Sequence, residues 1–337
     1  MIRYIVKRLL MVIPVVLGVA IIIFTILYFT PGDPVAINLE AGYTQEQYDA
    51  MAAKMGLDKP FLEQLVTFLR DFFLRFDFGN SYITGLSVNK EILSRFPRTA
   101  LIALICCILQ VLIAVPLGVT AAVHQNKFMD RFCIFIAMFS ISLPNFWFAM
   151  MLIIIFSLNL GWFPSNGIMD GPISYVLPCL ANCLMGLGGM ARQTRSQMLE
   201  VIRSDYVVTA RAKGVSERAI IYSHALPNAL IPVITSVGQH FGSALGGTVV
   251  IETVFAIPGI GLYMLQAIND RDYPIIRSGT TLLALAFCLV MLLTDLGYAF
   301  IDPRIKAQYE SQGKKRIRKK DVTEGGKADE HSEADKA

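Results

Sequence analysis

Apolar residues fall in six long blocks along the chain: Leu9 to Phe29, Thr99 to Val123, Phe132 to Leu158, Ile173 to Met190, Asn228 to Val250 and Thr280 to Ile301. Each is close to the ~20 residues an α-helix needs to cross a bilayer. The pattern predicts an all-α integral membrane protein with six transmembrane helices. Between the blocks lie a short basic start (1–8), a long mixed-polarity segment (30–97), a short loop from His124 to Arg131 and a loop from Asn159 to Pro172. A polar stretch (191–227), a turn-rich stretch (251–279) and a polar tail (305–337) complete the chain.

Thr30-Pro31-Gly32-Asp33-Pro34 ends the first block, because two prolines and a glycine cannot continue a helix. In the segment that follows, Phe61, Leu62, Leu65, Phe68, Leu69, Phe72, Phe73 and Phe76 recur at helical spacing. They predict one amphipathic helix, lying along the interface or packed on the bundle. The polar island Asp205 to Pro227 predicts two short helices. Helix formers run to Lys213, Gly214 breaks the pattern, Ser216 is placed to cap a second helix through His224, and Pro227 ends it or opens the next.

Composition agrees with membrane residence: 54% of residues are hydrophobic, 17% are charged, and the mean hydropathy is +0.54. The formal net charge of +4 is modest. The basic residues gather at block ends, which argues for topology and against a nucleic-acid partner. Arg3, Lys7 and Arg8, then Lys127, then the run from Arg192 to Arg218 place those segments in the cytoplasm, whereas Asn159 to Pro172 carries no lysine or arginine and is external. The first block lacks a small-residue cleavage site and reads as an uncleaved span. Both ends are therefore expected inside. The cluster Lys314 to Lys320 suits an anionic lipid leaflet, and 305–337 is expected to be disordered. All six cysteines lie in apolar runs, so neither a disulfide framework nor a metal site is expected.

Polar residues at membrane depth are costly unless they face protein or water. On that ground Pro144, Asn145, Asn182, Gln239, His240 and Ser243 are candidates to line a path, with a structural kink at Pro144 and an interhelical hydrogen bond from His240 as the alternatives. Gly186, Gly188 and Gly189 would let helices approach closely. Glu252, Pro258, Gly259, Asp270 and Arg271 form a candidate external gate or protein contact. Asp295 is expected to pair with a neighbouring helix or a basic loop residue. No G-x-x-x-x-G-K-[ST], H-E-x-x-H or G-x-S-x-G constellation occurs, so no catalytic residue is assigned.

The island YVVTARAKGV followed by Leu226-Pro227 resembles the coupling loop of ABC importer permeases. It departs from the loose E-A-A…G…I-x-L-P pattern at Val208, Thr209 and His224, in the manner of the peptide and nickel branch. TPGDP after the first span resembles the B-type subunit of peptide importers, and ETVFAIPGIG (252–261) is similar to the same peptide and nickel branch. The resemblance covers most of the chain apart from the tail. It implies the type I ABC importer transmembrane fold in a bacterial inner membrane. It further implies a second, homologous permease subunit, two cytoplasmic ABC ATPase subunits carrying ATP and Mg, and an extracytoplasmic solute-binding protein; no cofactor is expected on this chain. Asp205, Thr209, Ala210, Arg211, Lys213, Gly214, Leu226 and Pro227 are then the residues expected to couple to an ATPase. Di- or oligopeptides are the expected solutes, with nickel or a metal chelate as the alternative and a secondary transporter as the alternative class.

Overall fold

The computed structural model of the chain describes residues 2–39 and 42–301. The expected disordered tail and its basic cluster lie outside the described residues. Helix α1 (Ile2–Phe29) stops at the predicted proline-glycine signal. Asp33 then accepts from Val35 N (2.8 Å) and Ala36 N (3.2 Å), capping the single turn α2 (Pro34–Ile37) with Pro34 in its first turn. Helix α3 (Gln45–Met55) opens on a reciprocal capping box between Thr44 and Gln47 and closes on Gly56 in the left-handed region. Neither α2 nor α3 was expected from the apolar pattern.

The amphipathic stretch forms α4 (Phe61–Arg70), and its last turn widens to π geometry over Asp71–Arg75. Its aromatic face packs on the end of α1. Phe24 stacks on Phe68 with centroids 5.7 Å apart, and Phe72 stacks on Phe78 at 4.8 Å. Leu62 and Val66 on the opposite face stay exposed. Of the two expected placements, packing on the bundle is the one found for the aromatic face.

Helix α5 (Val88–Val123) begins well before Thr99 and runs unbroken through Pro97 and Pro116. The third block is split into α6 (Phe128–Ser142) and α7 (Asn145–Leu152), with a π-helical end over Ile153–Asn159; the two parts meet at 101° across Leu143-Pro144. Helix α8 (Val176–Ile202) outlasts the apolar block, so Arg192 and Arg195 ride on a helix and the polar stretch proper starts after Ile202. Two short helices follow, α9 (Asp205–Ala212) and α10 (Glu217–Ala219), and then a π-helical turn, Ile220–Ala225, that leads into α11 (Leu226–Val254). Helix α12 (Ile260–Asp270) and helix α13 (Tyr273–Ile301) complete the described residues. Among the described residues, five helices are long and apolar enough to cross a membrane, or six if the bent α6–α7 pair counts as one span.

Helix α8 is the centre of the bundle, packed on α5, α6, α7 and α11, while α1 lies against α13. Lipid tails offer no hydrophobic drive between helices, so close approach at small residues matters most. A Cβ added at Gly118 of α5 would sit 2.6 Å from Ala191 O and 2.6 Å from Thr194 Cβ of α8. Gly188 likewise lies against Ala137 and Ser140 of α6. Gly118→Val is therefore expected to force α5 and α8 apart at a cost of about 1–3 kcal/mol, seen as a lower thermal midpoint of the detergent-purified chain.

Two ion pairs tie the helices at one end. Asp130, buried on α6, receives Arg195 of α8 in a two-point contact, Nε to Oδ1 at 2.7 Å and a second guanidinium nitrogen to Oδ2 at 2.8 Å. Arg8 of α1 meets Asp295 of α13 at 2.7 Å, which is the neighbouring-helix pairing expected for that carboxylate. At the opposite end, Asp272 takes Ser81 Oγ (2.5 Å) and Tyr82 N (3.0 Å), pinning the segment after α4 to the start of α13.

Candidate functional site

Three features can do work: an exposed elbow, one face of α11, and a latch at the far end of α11.

The elbow is α9, Gly214 and α10. Helix α9 leaves Asp205, Thr209, Arg211 and Lys213 in solvent, while Val207 is fully buried and anchors it. The chain reverses at Gly214 with φ +80°, a conformation that side chains with a Cβ adopt at a cost. Space around its missing Cβ is open, with no atom of the chain within 4 Å. Ser216 Oγ accepts from Ala219 N at 3.4 Å, the cap expected from sequence. Arg211 then bridges the turn to Glu217, Nε to Oε1 at 2.5 Å and a second nitrogen to Oε2 at 3.2 Å. Tyr206 and Asn228 brace the elbow against α11: Asn228 Nδ2 donates to Tyr206 Oη (3.0 Å) and to His224 O (2.9 Å). Ala210 is half-buried under α9, and Leu226 and Pro227 form the first turn of α11. Six of the expected coupling residues, Asp205, Thr209, Ala210, Arg211, Lys213 and Gly214, thus share one protruding element, and Leu226 and Pro227 lie where the chain re-enters α11. The brace by Tyr206, Asn228 and Glu217 was missed, because it joins residues across a turn.

Along α11, Pro232, Thr235, Gln239, Ser243, Gly246 and Val250 recur three or four residues apart and share one face. Gln239, Ser243, Gly246 and Val250 are exposed and the other two half-buried, so among the described residues no other helix covers the outer part of this row, from Gln239 to Val250. His240, one position on from Gln239, turns the other way. A Cβ on Gly186 of α8 would lie 2.8 Å from His240 Nδ1 and 2.7 Å from Gln110 Nε2, so both side chains pack on that glycine. Gln110 donates to Cys183 O at 3.1 Å and leaves its Oε1 unpaired. Asn182 is buried on α8 with neither amide atom paired, and Asn145 Oδ1 at the α6–α7 bend is buried and unpaired as well. The expected path residues therefore divide: Gln239 and Ser243 on the open face, His240 and Asn182 inside the bundle, and Pro144 and Asn145 at the bend. Gln110 was not among the candidates, although a glutamine inside the apolar run of α5 carries the same signal as Asn182 and Gln239.

The latch is Glu252, which is fully buried. Thr99 Oγ1 of α5 donates to its Oε1 at 2.6 Å, and Leu262 N, in the first turn of α12, donates to its Oε2 at 3.0 Å; Gly261 N also reaches it. Thr99 Oγ1 in turn accepts Ile260 N at 2.9 Å. The carboxylate occupies the place where a Gly259 Cβ would be, so a side chain there would displace it. A carboxylate against the orphan N–H groups and positive dipole end of a helix is a stabilising arrangement. Pro258 O accepts from Arg98 at 3.1 Å. Asp270 is exposed at the end of α12, and Arg271 follows it with φ +55°, its guanidinium laid over Gly32. Of the gate candidates, Asp270 therefore reaches the surface, whereas Glu252 faces inward onto Thr99 and α12.

Residues 114–307 match the model of the binding-protein-dependent transport system inner membrane component. Residues 1–103 match the model of the N-terminal region of the same membrane components. The chain belongs to this family. A putative peptide transport system permease protein of Brucella abortus is 38% identical over 309 residues, covering 90% of this chain and 98% of that relative. The oligopeptide transport system permease protein AppB of Bacillus subtilis is 37% identical over 316 residues, covering 91% and 100%. The glutathione transport system permease protein GsiC of Salmonella paratyphi A is 39% identical over 306 residues, covering 91% and 99%. Among solved structures, an inward-facing form of the MetNI methionine ABC transporter aligns with a TM-score of 0.54 at 16% identity, over 63% of this chain and 96% of that one. That likeness shows the fold, the transmembrane architecture of a type I ABC importer, while the family and the long apolar helices make this permease a multi-pass inner membrane protein.

Proposed function

We propose that the chain is one of two permease subunits of an ABC importer for di- or oligopeptides. In this reading it forms half of the translocation path and takes its work from separate ATPase subunits. The observation that carries the proposal is the uncovered row on α11. A glutamine and a serine at membrane depth require protein or water in front of them, and a second, homologous permease facing this row would enclose a polar path. The identity of the solute is supported by the peptide, oligopeptide and glutathione permeases that this chain resembles over nine-tenths of its length.

The elbow docks in a groove of an ATPase on the cytoplasmic side, where the start of α1 and the end of α13 also lie. ATP and Mg are held by those partners. Closure of the two ATPases pulls the two elbows together, and the helices rock as packed bodies between inward-facing and outward-facing states. A solute-binding protein delivers its cargo at the opposite end, near Asp270 and the turn that Glu252 and Gly259 hold in place.

The test is the double replacement Gln239→Leu with Ser243→Leu in the assembled transporter. Uptake of a labelled dipeptide into proteoliposomes is expected to fall about tenfold, a barrier raised by about 1.4 kcal/mol, while the ATPases still co-purify. Unchanged uptake would show that the α11 face does not line the path.

A further inference from the structure

At the end of the bundle away from the elbow, a cavity of about 730 Å³ opens between the end of α1, α2–α3 and the start of α13. It falls within the size range of small-molecule sites. Its polar groups are unevenly placed. Asp49 and Asp58 are exposed at its rim and Asp33 is half-buried, whereas Arg277 lines it from α13 with Nε shut off from solvent and unpaired. Aromatic rings hold that guanidinium in place: its carbon lies 4.9 Å from the Phe68 centroid and 5.9 Å from that of Phe24.

The carboxylates nearest Arg277 are otherwise engaged. Asp272 accepts from Ser81 and Tyr82 N, and Asp71 takes Arg70 at 3.0 Å and Arg75 at 3.3 Å. Arg277 has no hydrogen bond or ion pair among the described residues, and a guanidinium presents five donors in a fork suited to a carboxylate. A simple anion would meet the acidic rim first, which disfavours it; a molecule carrying both charges satisfies both ends. Tyr48 adds a polar edge, its phenol held above the ordinary range by its hydrogen bond to Asp33 and then by burial.

We propose that this cavity binds a small zwitterionic solute, a free amino acid or short peptide, with its carboxylate on Arg277 and its ammonium group on the Asp33, Asp49 and Asp58 rim. The site lies outside the α11 face and so does not depend on which solute crosses the membrane.

The test is calorimetric titration of the full-length chain in phosphatidylcholine nanodiscs with L-alanyl-L-alanine. Saturable binding is expected, weakened at least tenfold by Arg277→Gln and severalfold by Asp58→Asn, an exposed position that leaves the fold intact. The carboxamide of the same dipeptide, which lacks the carboxylate, and its N-acetyl form, which lacks the ammonium group, are each expected to bind at least tenfold more weakly. Four results would overturn the proposal: no saturable binding, unaltered affinity in both Arg277→Gln and Asp58→Asn, inorganic phosphate competing as well as the dipeptide, or loss of the dipeptide signal when the nanodiscs contain phosphatidylglycerol. The third would mark a plain anion site and the fourth a lipid headgroup site.

Discussion

Gly214→Asp is expected to leave the chain in the membrane and folded while peptide uptake falls about 100-fold. The backbone at Gly214 has φ +80°, where a residue with a Cβ pays on the order of 1–2 kcal/mol and aspartate is among the better tolerated. No atom of the chain lies within 4 Å of the added Cβ, so the permease itself has room for the side chain. The damage is expected in the docking groove, where a carboxylate buried without a partner costs about 3 kcal/mol or more. ATP hydrolysis by the assembled complex is expected to continue without uptake, or the ATPases to dissociate. Gly214→Asn separates the causes, because it keeps the backbone penalty and the bulk but removes the charge, and it is expected to retain most of the uptake. Full uptake by the aspartate variant would remove Gly214 from the coupling role.

The second large effect concerns the latch. Glu252→Ala strips the acceptor from Thr99 Oγ1 and Leu262 N, two donors that the structure pairs with it at 2.6 and 3.0 Å. A buried donor left unpaired costs about 1–3 kcal/mol, so a loss of roughly 3–5 kcal/mol and a drop of several degrees in the thermal midpoint are expected. Gly259→Ala places a methyl group where the Glu252 carboxylate sits and is expected to produce much of the same loss. Because both act on one set of contacts, the double variant is expected to cost clearly less than the sum of the two. Thermal unfolding of the purified chain reads this directly. Additive losses would mean that Glu252 and Gly259 act separately.

The spans and the elbow were legible because both rest on local rules. Twenty apolar residues make a span wherever they occur, and helix formers, Gly214 and Ser216 mark a helix-turn-helix without reference to the rest of the chain. Helix α3 carries its own signals, Thr44 and Gln47 three residues apart and Gly56 at its end, but it has no apolar stripe to set it off from the polar segment around it. What the sequence could not show depends on distant partners. Nothing near Glu252 in the chain distinguishes a latch from an exposed contact, since Thr99 lies far away in sequence. Gln239 and His240 are adjacent and both polar, yet one step of the helix, about 100°, sends one to the open face and the other onto Gly186. The split at Pro144 could be anticipated as an interruption, but its 101° angle follows from how α7 packs on α8 and α11. The early start of α5 and the late end of α8 lie outside the apolar blocks, where polar helix turns carry no hydropathy signal.

The central claim is that residues 205–227 form the surface on which an ATPase docks from the cytoplasm. A single reactive thiol introduced at the exposed tip by Lys213→Cys tests it, because all six native cysteines are buried. In membranes holding the assembled transporter, that thiol is predicted to cross-link to the ATPase subunit and to resist a membrane-impermeant maleimide applied outside intact cells. Labelling from outside, with no cross-link to the ATPase, would contradict the account.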